Sequence, residues 1–497
     1  MQQQALVCFT DILIFCMMKK RGFYSKEDVL FLVFSSTIFL FVFLPLVLII
    51  YYQPWLCSRT FRNRFLLLAS LLFYAWGEPV FVFLMIFSII VGWFVGRQVG
   101  TTSNCTQKER QRWLICGVTF HVGLLFVFKY LTFIMQEARL LLHADFSPIH
   151  ITLPIGISFF TFQLLSYLFD IYYNKAQAQR SVLNVGLYIA LFPQLIAGPI
   201  VRYDNIEKQI DYRQETLHDF TDGMMRFIYG LGKKVLIADY MAIIADDIFG
   251  LDVPLSTATA WIGAAAYTLQ IYFDFSGYSD MAIGLGQMFG FHFPENFNYP
   301  YVSRSISEFW RRWHISLGAW FRDYVYIPLG GNRVTKLRWG WNLFIVWALT
   351  GIWHGANWTY LCWGILFFVL ILFEKITHLP ERLGIFAHVY AIVVIVLSFA
   401  LFRAPDLHFA AKYIGMMFGH GSTELWDFAA QFFLTQGAFA WFLAIVLSLP
   451  VAPYLQHRFS SHLIRRIGEP ILATGIFLLS LLVAISSSYH PFIYFNF

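Results

Sequence analysis

The segment Thr350-Gly-Ile-Trp-His-Gly-Ala-Asn-Trp358 places a histidine and an asparagine at a glycine-flanked break between two apolar runs. The run before it begins at Trp339 and, as a helix of about 15 residues, reaches only about 22 Å into roughly 30 Å of hydrocarbon. This predicts His354 inside the membrane rather than at its far face. An ionisable side chain at that depth is costly and faces a cavity or a partner, so it is a candidate for acyl or proton transfer. The plainer reading is a histidine that bonds a neighbouring carbonyl and ties two helices together.

A second histidine, His314, lies in Glu308-Phe-Trp-Arg-Arg-Trp-His-Ile-Ser-Leu-Gly-Ala-Trp-Phe-Arg-Asp-Tyr324. Read as one helix, this segment gathers Trp310, Trp313, Leu317, Trp320, Phe321 and Tyr324 on one face, with His314 at its border. It predicts an interfacial amphipathic helix with its cations toward the lipid headgroups. Arg311, Arg312 and Arg322 then either serve only that surface or line an entry for an anionic acyl donor, since guanidinium forks suit phosphate. His121 reads as a structural histidine, and Asp274 and Asp280 either pair with arginines or shape a cavity. Gly230-Leu-Gly-Lys-Lys234 lacks the spacing of a phosphate loop, Gly284-Leu-Gly286 lacks a full dinucleotide pattern, and no G-x-S-x-G marks a serine esterase.

The elements that must hold these residues are membrane helices. Of 497 residues, 58% are hydrophobic, 20% aromatic and 13% charged, which excludes a soluble globular, disordered or disulfide-stapled chain. Apolar runs recur from Val33–Tyr52 through Phe65–Ala75, Val80–Gly96, Trp113–Leu131, Ile151–Tyr173, Phe220–Asp239, Thr257–Phe273 and Phe275–Phe291 to Trp339–Trp353, Ala356–Phe373, Val389–Phe402, Phe439–Tyr454 and Ile471–Ser486. Val182–Pro199 is interrupted by Pro193, Gly198 and Pro199, and predicts a segment that enters the membrane and turns back inside protein. The fold expected is an all-α polytopic integral membrane protein with roughly 11 to 13 spanning or re-entrant helices.

Short-loop Lys and Arg set orientation. Arg304–Arg338 holds seven basic residues against Glu308 and Asp323, which makes it cytoplasmic and leaves the residue-33 end and the C-terminal tail outside. The +6 net charge gives no reason to expect a nucleic-acid partner, and the six cysteines show no metal-ligand spacing, so free thiols and no metal are expected. Residues 1–32 fit poorly. Ala5–Met18 is too short to span, and Lys19, Lys20 and Arg21 would fall on the outer side, so this stretch reads as a dispensable extension, with 33–497 as one membrane domain.

The motifs YFDFSGYSDMAIGLG, NFNYPYVSRSISEFWRRWHISLGAWFRDYVYIPLGGNR, TGIWHGANWTYLCWG, LPIGISFFTFQ and LFPQLIAGPIVR, with the ending PFIYFNF, resemble the membrane-bound O-acyltransferase family and within it the bacterial alginate O-acetylation branch. The likeness runs from Val33 to Phe497. It implies that His354 is the catalytic histidine, that His314 holds the family's second motif position, that intramembrane backbone or Asn357 donors serve the oxyanion, and that acetyl-CoA is the donor with no bound cofactor. It also implies an inner-membrane enzyme among membrane lipid whose acetyl group reaches an exported polysaccharide, alginate above all, through periplasmic acetyltransferase partners. Peptidoglycan and other exopolysaccharides are alternative acceptors. A proton-coupled transporter or flippase, which commonly carries two repeated halves that are not found here, and a non-catalytic export scaffold are the rival readings.

Overall fold

The computed structural model describes residues 32–100, 105–143, 145–196, 198–251, 253–458 and 467–486. The expectations for residues 1–32, Leu32 apart, and for the tail after Ser486 fall outside the described residues.

Among the described residues all regular elements are helices, as expected. The first half comprises α1 (Phe39–Tyr51), α2 (Arg59–Gly77), α3 (Phe81–Val99), α4 (Gln107–Leu142), α5 (Ile157–Tyr172), α6 (Val182–Ala190) and α7 (Tyr203–Tyr212). Ser58 caps α2, and Thr106 with Glu109 forms a reciprocal capping box at α4, so the polar loop residues set where these apolar helices begin. The chain stops at Ala190 and resumes as the short turn Phe192–Leu195 around Pro193, and this broken segment is buried from Val185 to Leu195.

In the second half, α8 (Leu217–Gly232) widens through Lys233–Ala238 into α9 (Asp239–Phe249), and α10 (Thr257–Met288) returns. Then come α11 (Ile306–Arg312), α12 (Ile315–Phe321), α13 (Lys336–His354), α14 (Trp358–Thr377), α15 (Ala387–Arg403), α16 (Leu407–Met417), the bent pair α17 (Phe428–Gln436) and α18 (Ala438–Ser448), and α19 (Glu469–Ser486). By length and composition, α3, α4, α14, Leu379–Arg403 and α19 can each cross a bilayer, and α17 with α18, bent by 69°, would make a sixth span.

α10 is the axis of the molecule. Expected as two runs meeting near Asp274, it is one helix of 32 residues, about 48 Å long. It survives two aspartates because α8 and the turn after it neutralise them: Lys234 binds Asp274 at 2.8 Å and Asp239 at 2.7 Å, while Lys233 and Arg226 bind Asp280 at 2.6 and 2.9 Å. The helices can approach that closely because they meet at glycine, where a Cβ on Gly284 would lie 2.4 Å from the Gly223 carbonyl oxygen. The Phe275–Met288 part of α10 packs into the core built by the first half, and its Ala260–Phe273 part into a second core with α9, α14 and α15.

Candidate active site

His354 ends α13, and its position is set where α13 crosses α14. A Cβ on Gly351 would stand 2.4 Å from the Tyr360 carbonyl oxygen, and one on Gly364 2.4 Å from that of Trp347, so the two helices touch backbone to backbone. α13 has 19 residues and is about 28 Å long. It begins three residues earlier than the sequence suggested, so shortness does not hold His354 at depth. Protein encloses the ring instead. Trp353, Trp363 and Phe402 surround it at centroid distances of 5.0 to 5.1 Å, and 5% of the residue is exposed.

Among the described residues neither imidazole nitrogen of His354 has a hydrogen-bond partner, and the adjacent indole N–H groups of Trp353 and Trp363 have none either. A buried polar atom left unsatisfied costs about 1–3 kcal/mol, so such a cluster calls for an explanation. A cavity of about 70 Å³, room for a few water-sized groups, opens beside the ring and is lined by His354, Trp353, Phe159, Ser158, Ile155 and Lys129 among others. Lys129, which sequence reasoning passed over, donates to the Trp353 carbonyl oxygen at 2.5 Å and to Ser158 Oγ at 3.2 Å.

His314 is brought to the same place. Its ring centroid is 6.0 Å from that of Trp353, which in turn packs against His354. The expected single surface helix around it is not what forms. The chain breaks at His314, which adopts φ +45°, ψ +52° between α11 and α12, and the residue is 1% exposed. The periodicity misled because the aromatic residues it aligned are core residues on separate elements: Trp310 packs on Trp347, Trp363 and Phe367, while Trp320 stacks on Phe162 at 3.9 Å and donates to the Phe162 carbonyl. Glu374 of α14 accepts the first backbone N–H groups of α11, at 2.6 and 3.2 Å, and ties the two elements together.

Asn296, also missed, decides which nitrogen of His314 is basic. Its Oδ1 accepts from Ser316 Oγ at 2.8 Å and from the Ser316 N–H at 3.3 Å, while its Nδ2 donates to Ser279 Oγ at 3.0 Å. His314 Nδ1 lies 3.1 Å from that same acceptor oxygen and must therefore carry the proton. The lone pair is left on Nε2, which is buried without a hydrogen-bond partner among the described residues.

The other expected site residues are not gathered at the cavity. Asn357 caps α14, with Oδ1 accepting from the Thr359 N–H at 3.0 Å and Nδ2 donating to the Pro405 carbonyl at 2.7 Å, so its amide is engaged on both sides rather than aimed at an oxyanion. Arg312 pairs with Glu308 at 2.9 Å, and Arg322 with Asp323 at 2.7 Å. Arg311 is exposed and has no ion pair among the described residues. His121 is buried away from the cavity, beside Phe120.

Two buried histidines at helix breaks, one of them tautomerically fixed, suit acyl or proton transfer. The profile of the membrane-bound O-acyltransferase family matches residues 2–379. The chain belongs to that family. As a membrane-bound O-acyltransferase it is an enzyme, and the motifs that carry His314 and His354 lie inside the matched region. It is 44% identical over 401 residues to a probable alginate O-acetylase, AlgI, of Pseudomonas putida, covering 79% of this chain and 82% of that one. It is 36% identical to a peptidoglycan O-acetyltransferase of Helicobacter pylori, with 79% and 81% covered, and 28% identical to a teichoic acid D-alanyltransferase of Bacillus subtilis, with 54% and 71% covered. By their names these relatives act on alginate, peptidoglycan and teichoic acid.

Proposed function

We propose that the protein takes an acetyl group from cytoplasmic acetyl-CoA and passes it across the inner membrane for O-acetylation of an exported polysaccharide, alginate being the polymer its 44%-identical relatives favour. The observation that carries this reading is the set of buried nitrogens on His354, Trp353 and His314 that have no hydrogen-bond partner among the described residues, with His354 and Trp353 lining one cavity. In the step proposed, the acceptor hydroxyl oxygen bonds to the thioester carbonyl carbon while its proton passes to a nitrogen of neutral His354. The tetrahedral species then collapses, the C–S bond breaks, and the proton moves from the imidazolium to the departing thiolate. His314 presents the Nε2 lone pair across Trp353 and suits the holding of the acceptor's hydroxyl proton before transfer.

On this reading Arg311 meets donor phosphate at the basic face, Arg312 and Arg322 hold the shape of that face through their carboxylates, and Asn357 contributes only through the cap that sets Gly355. The residue-33 end and the C-terminus lie on the periplasmic side, within membrane lipid, and periplasmic acetyltransferase partners complete delivery to the polymer. The test is the O-acetyl content of exported polysaccharide and of peptidoglycan in a deletion strain complemented with wild type, His354→Ala or His314→Ala at matched membrane levels. Loss of acetyl groups from the polysaccharide alone in the histidine variants supports the reading. Loss from peptidoglycan instead moves the acceptor, and normal acetylation of both returns the chain to a scaffold or transporter role.

A further inference from the structure

Lys129 is the exception to how this molecule treats buried lysines. Lys233 and Lys234 each sit against carboxylates. Lys129 lies on α4 in the apolar run Gly123-Leu-Leu-Phe-Val-Phe-Lys129, partly buried, and has no carboxylate partner among the described residues. Its contacts are the Trp353 carbonyl, the Ser158 hydroxyl and the face of the Trp353 ring, 5.8 Å away. An ammonium has three donors, and the two hydrogen bonds leave one N–H to the cavity that Lys129 and His354 line together. A cation without a counter-charge in apolar surroundings is costly at rest, and becomes favourable when negative charge develops beside it.

We propose that Lys129 is a catalytic residue whose ammonium, fixed by the Trp353 carbonyl and Ser158, holds the carbonyl oxygen of the transferring acyl group as it becomes an oxyanion. The assignment rests on the acyl-transfer reading above. When the acceptor oxygen bonds to the carbonyl carbon and its proton moves to His354, the C=O π pair moves onto oxygen. Lys129 stabilises that charge through a hydrogen bond and keeps its own proton. When the C–S bond breaks, the pair returns to re-form C=O and the thiolate departs. Ile155 and Phe159 keep the surroundings apolar, which strengthens the interaction. The same contact to Trp353 caps the carboxyl end of α13, so one side chain fixes the helix that carries His354 and faces the reacting group.

The experiment is release of CoA from acetyl-CoA by wild type, His354→Ala, Lys129→Met and Ser158→Ala in membrane vesicles supplied with acceptor polysaccharide and partner proteins, together with the Tm of each purified protein. Lys129→Met is expected to lower kcat by about 10²–10³-fold with KM for acetyl-CoA within about twofold, as loss of an oxyanion donor does. Ser158→Ala, which leaves the charge and the cap in place, is expected to lower kcat by about fivefold with an unchanged Tm, as loss of one positioning hydrogen bond does. A Lys129→Met protein that is destabilised yet turns over normally per folded molecule makes the lysine a helix cap only and overturns the proposal. So does a raised KM with unchanged kcat, which assigns it to donor binding. Should Lys129→Met fail to fold, unaltered kcat in Ser158→Ala overturns it. A wild type that releases no CoA overturns the acyl-transfer reading and this assignment together, whereas an active wild type with inactive His354→Ala and fully active Lys129→Met overturns the lysine alone.

Discussion

Two buried polar regions of this molecule are built on opposite rules. Between α8 and α10, Lys234 faces Asp239 and Asp274, Lys233 faces Asp280, and Arg226 reaches both Asp280 and Glu295. Each of these cations meets a carboxylate, and the glycines at the crossing bring the backbones close enough to keep them so. Around His354 the reverse holds: both of its nitrogens, the indole N–H of Trp353 and Nε2 of His314 are buried with no hydrogen-bond partner among the described residues. Burial of a polar group is tolerated when it is paired. The first region therefore reads as architecture and the second as a place prepared for something that arrives.

That contrast is broken most directly by exchanging one residue from each region. His354→Ala is expected to reduce acyl transfer by about 10²–10⁴-fold, the contribution of a general base, with Tm unchanged or raised. Lys234→Met strands two buried carboxylates and is expected to cost about 3–5 kcal/mol of stability, while the protein that does fold keeps its turnover. Tm in detergent and CoA release per folded molecule read both. If His354→Ala unfolds the protein, or Lys234→Met abolishes turnover without lowering Tm, the division into site and architecture is wrong.

Asn296 sharpens the contrast, because it is a satisfied residue whose purpose lies in the unsatisfied one beside it. Asn296→Ala releases His314 from a hydrogen bond worth about 1 kcal/mol, a factor of about five in tautomer population, and acyl transfer is expected to fall by about that much or more. Asn296→Asp keeps the acceptor for Nδ1–H and should retain more activity than the alanine variant. Equal activity in the two would make Asn296 a packing residue only.

Much of the fold was legible because membrane helices announce themselves as apolar runs, and their polar caps, Ser58 and Thr106 among them, mark where they start. His354 was legible for the same reason inverted, a polar residue where hydrocarbon was expected. The environment of His314 was not, since a left-handed residue that is not glycine breaks the helix without altering the side-chain pattern. Nor could periodicity foresee that α10 runs unbroken through Asp274 and Asp280, because their partners lie some 40 to 54 residues away on α8 and the turn after it. Asn296 precedes His314 by 18 residues and joins it only through the fold. Lys129 did carry a readable signal, a lone lysine in an apolar run, and that signal alone would have placed it beside the histidines as a candidate.

A third polar region extends the comparison to pH. Glu215, in the loop between α7 and α8, receives Arg59 at 2.5 Å, Arg62 at 2.9 Å and the Tyr51 hydroxyl. Burial pushes its carboxyl up, but the hydrogen bonds from Arg59 and Tyr51 and the charges of Arg59 and Arg213 outweigh burial and hold it at about 2, against an ordinary value of 4.5. A carboxyl depressed in the folded state contributes stability that is fully present above its unfolded value and is lost as pH falls from 4.5 through 2. Wild type should therefore lose Tm on going from about pH 5 to about pH 3 more steeply than Glu215→Gln. Parallel slopes would mean that the arginine cluster adds nothing to acid resistance.

The smallest effect expected separates the arginines of the basic face by the same rule of paired against unpaired. Arg312 and Arg322 are already engaged with Glu308 and Asp323, whereas Arg311 is exposed without an ion pair among the described residues. Arg311→Ala is expected to raise KM for acetyl-CoA by about fivefold, the value of one solvent-exposed contact to phosphate of about 1 kcal/mol, with kcat and Tm unchanged. Arg312→Ala loses an i,i+4 pair worth about 0.3–0.5 kcal/mol and should shift Tm slightly while leaving KM alone. Titration of acetyl-CoA with each variant decides between them. If both raise KM equally, the pairing of Arg312 does not withdraw it from the donor, and on the surface, unlike in the core, a satisfied charge remains available for a second task.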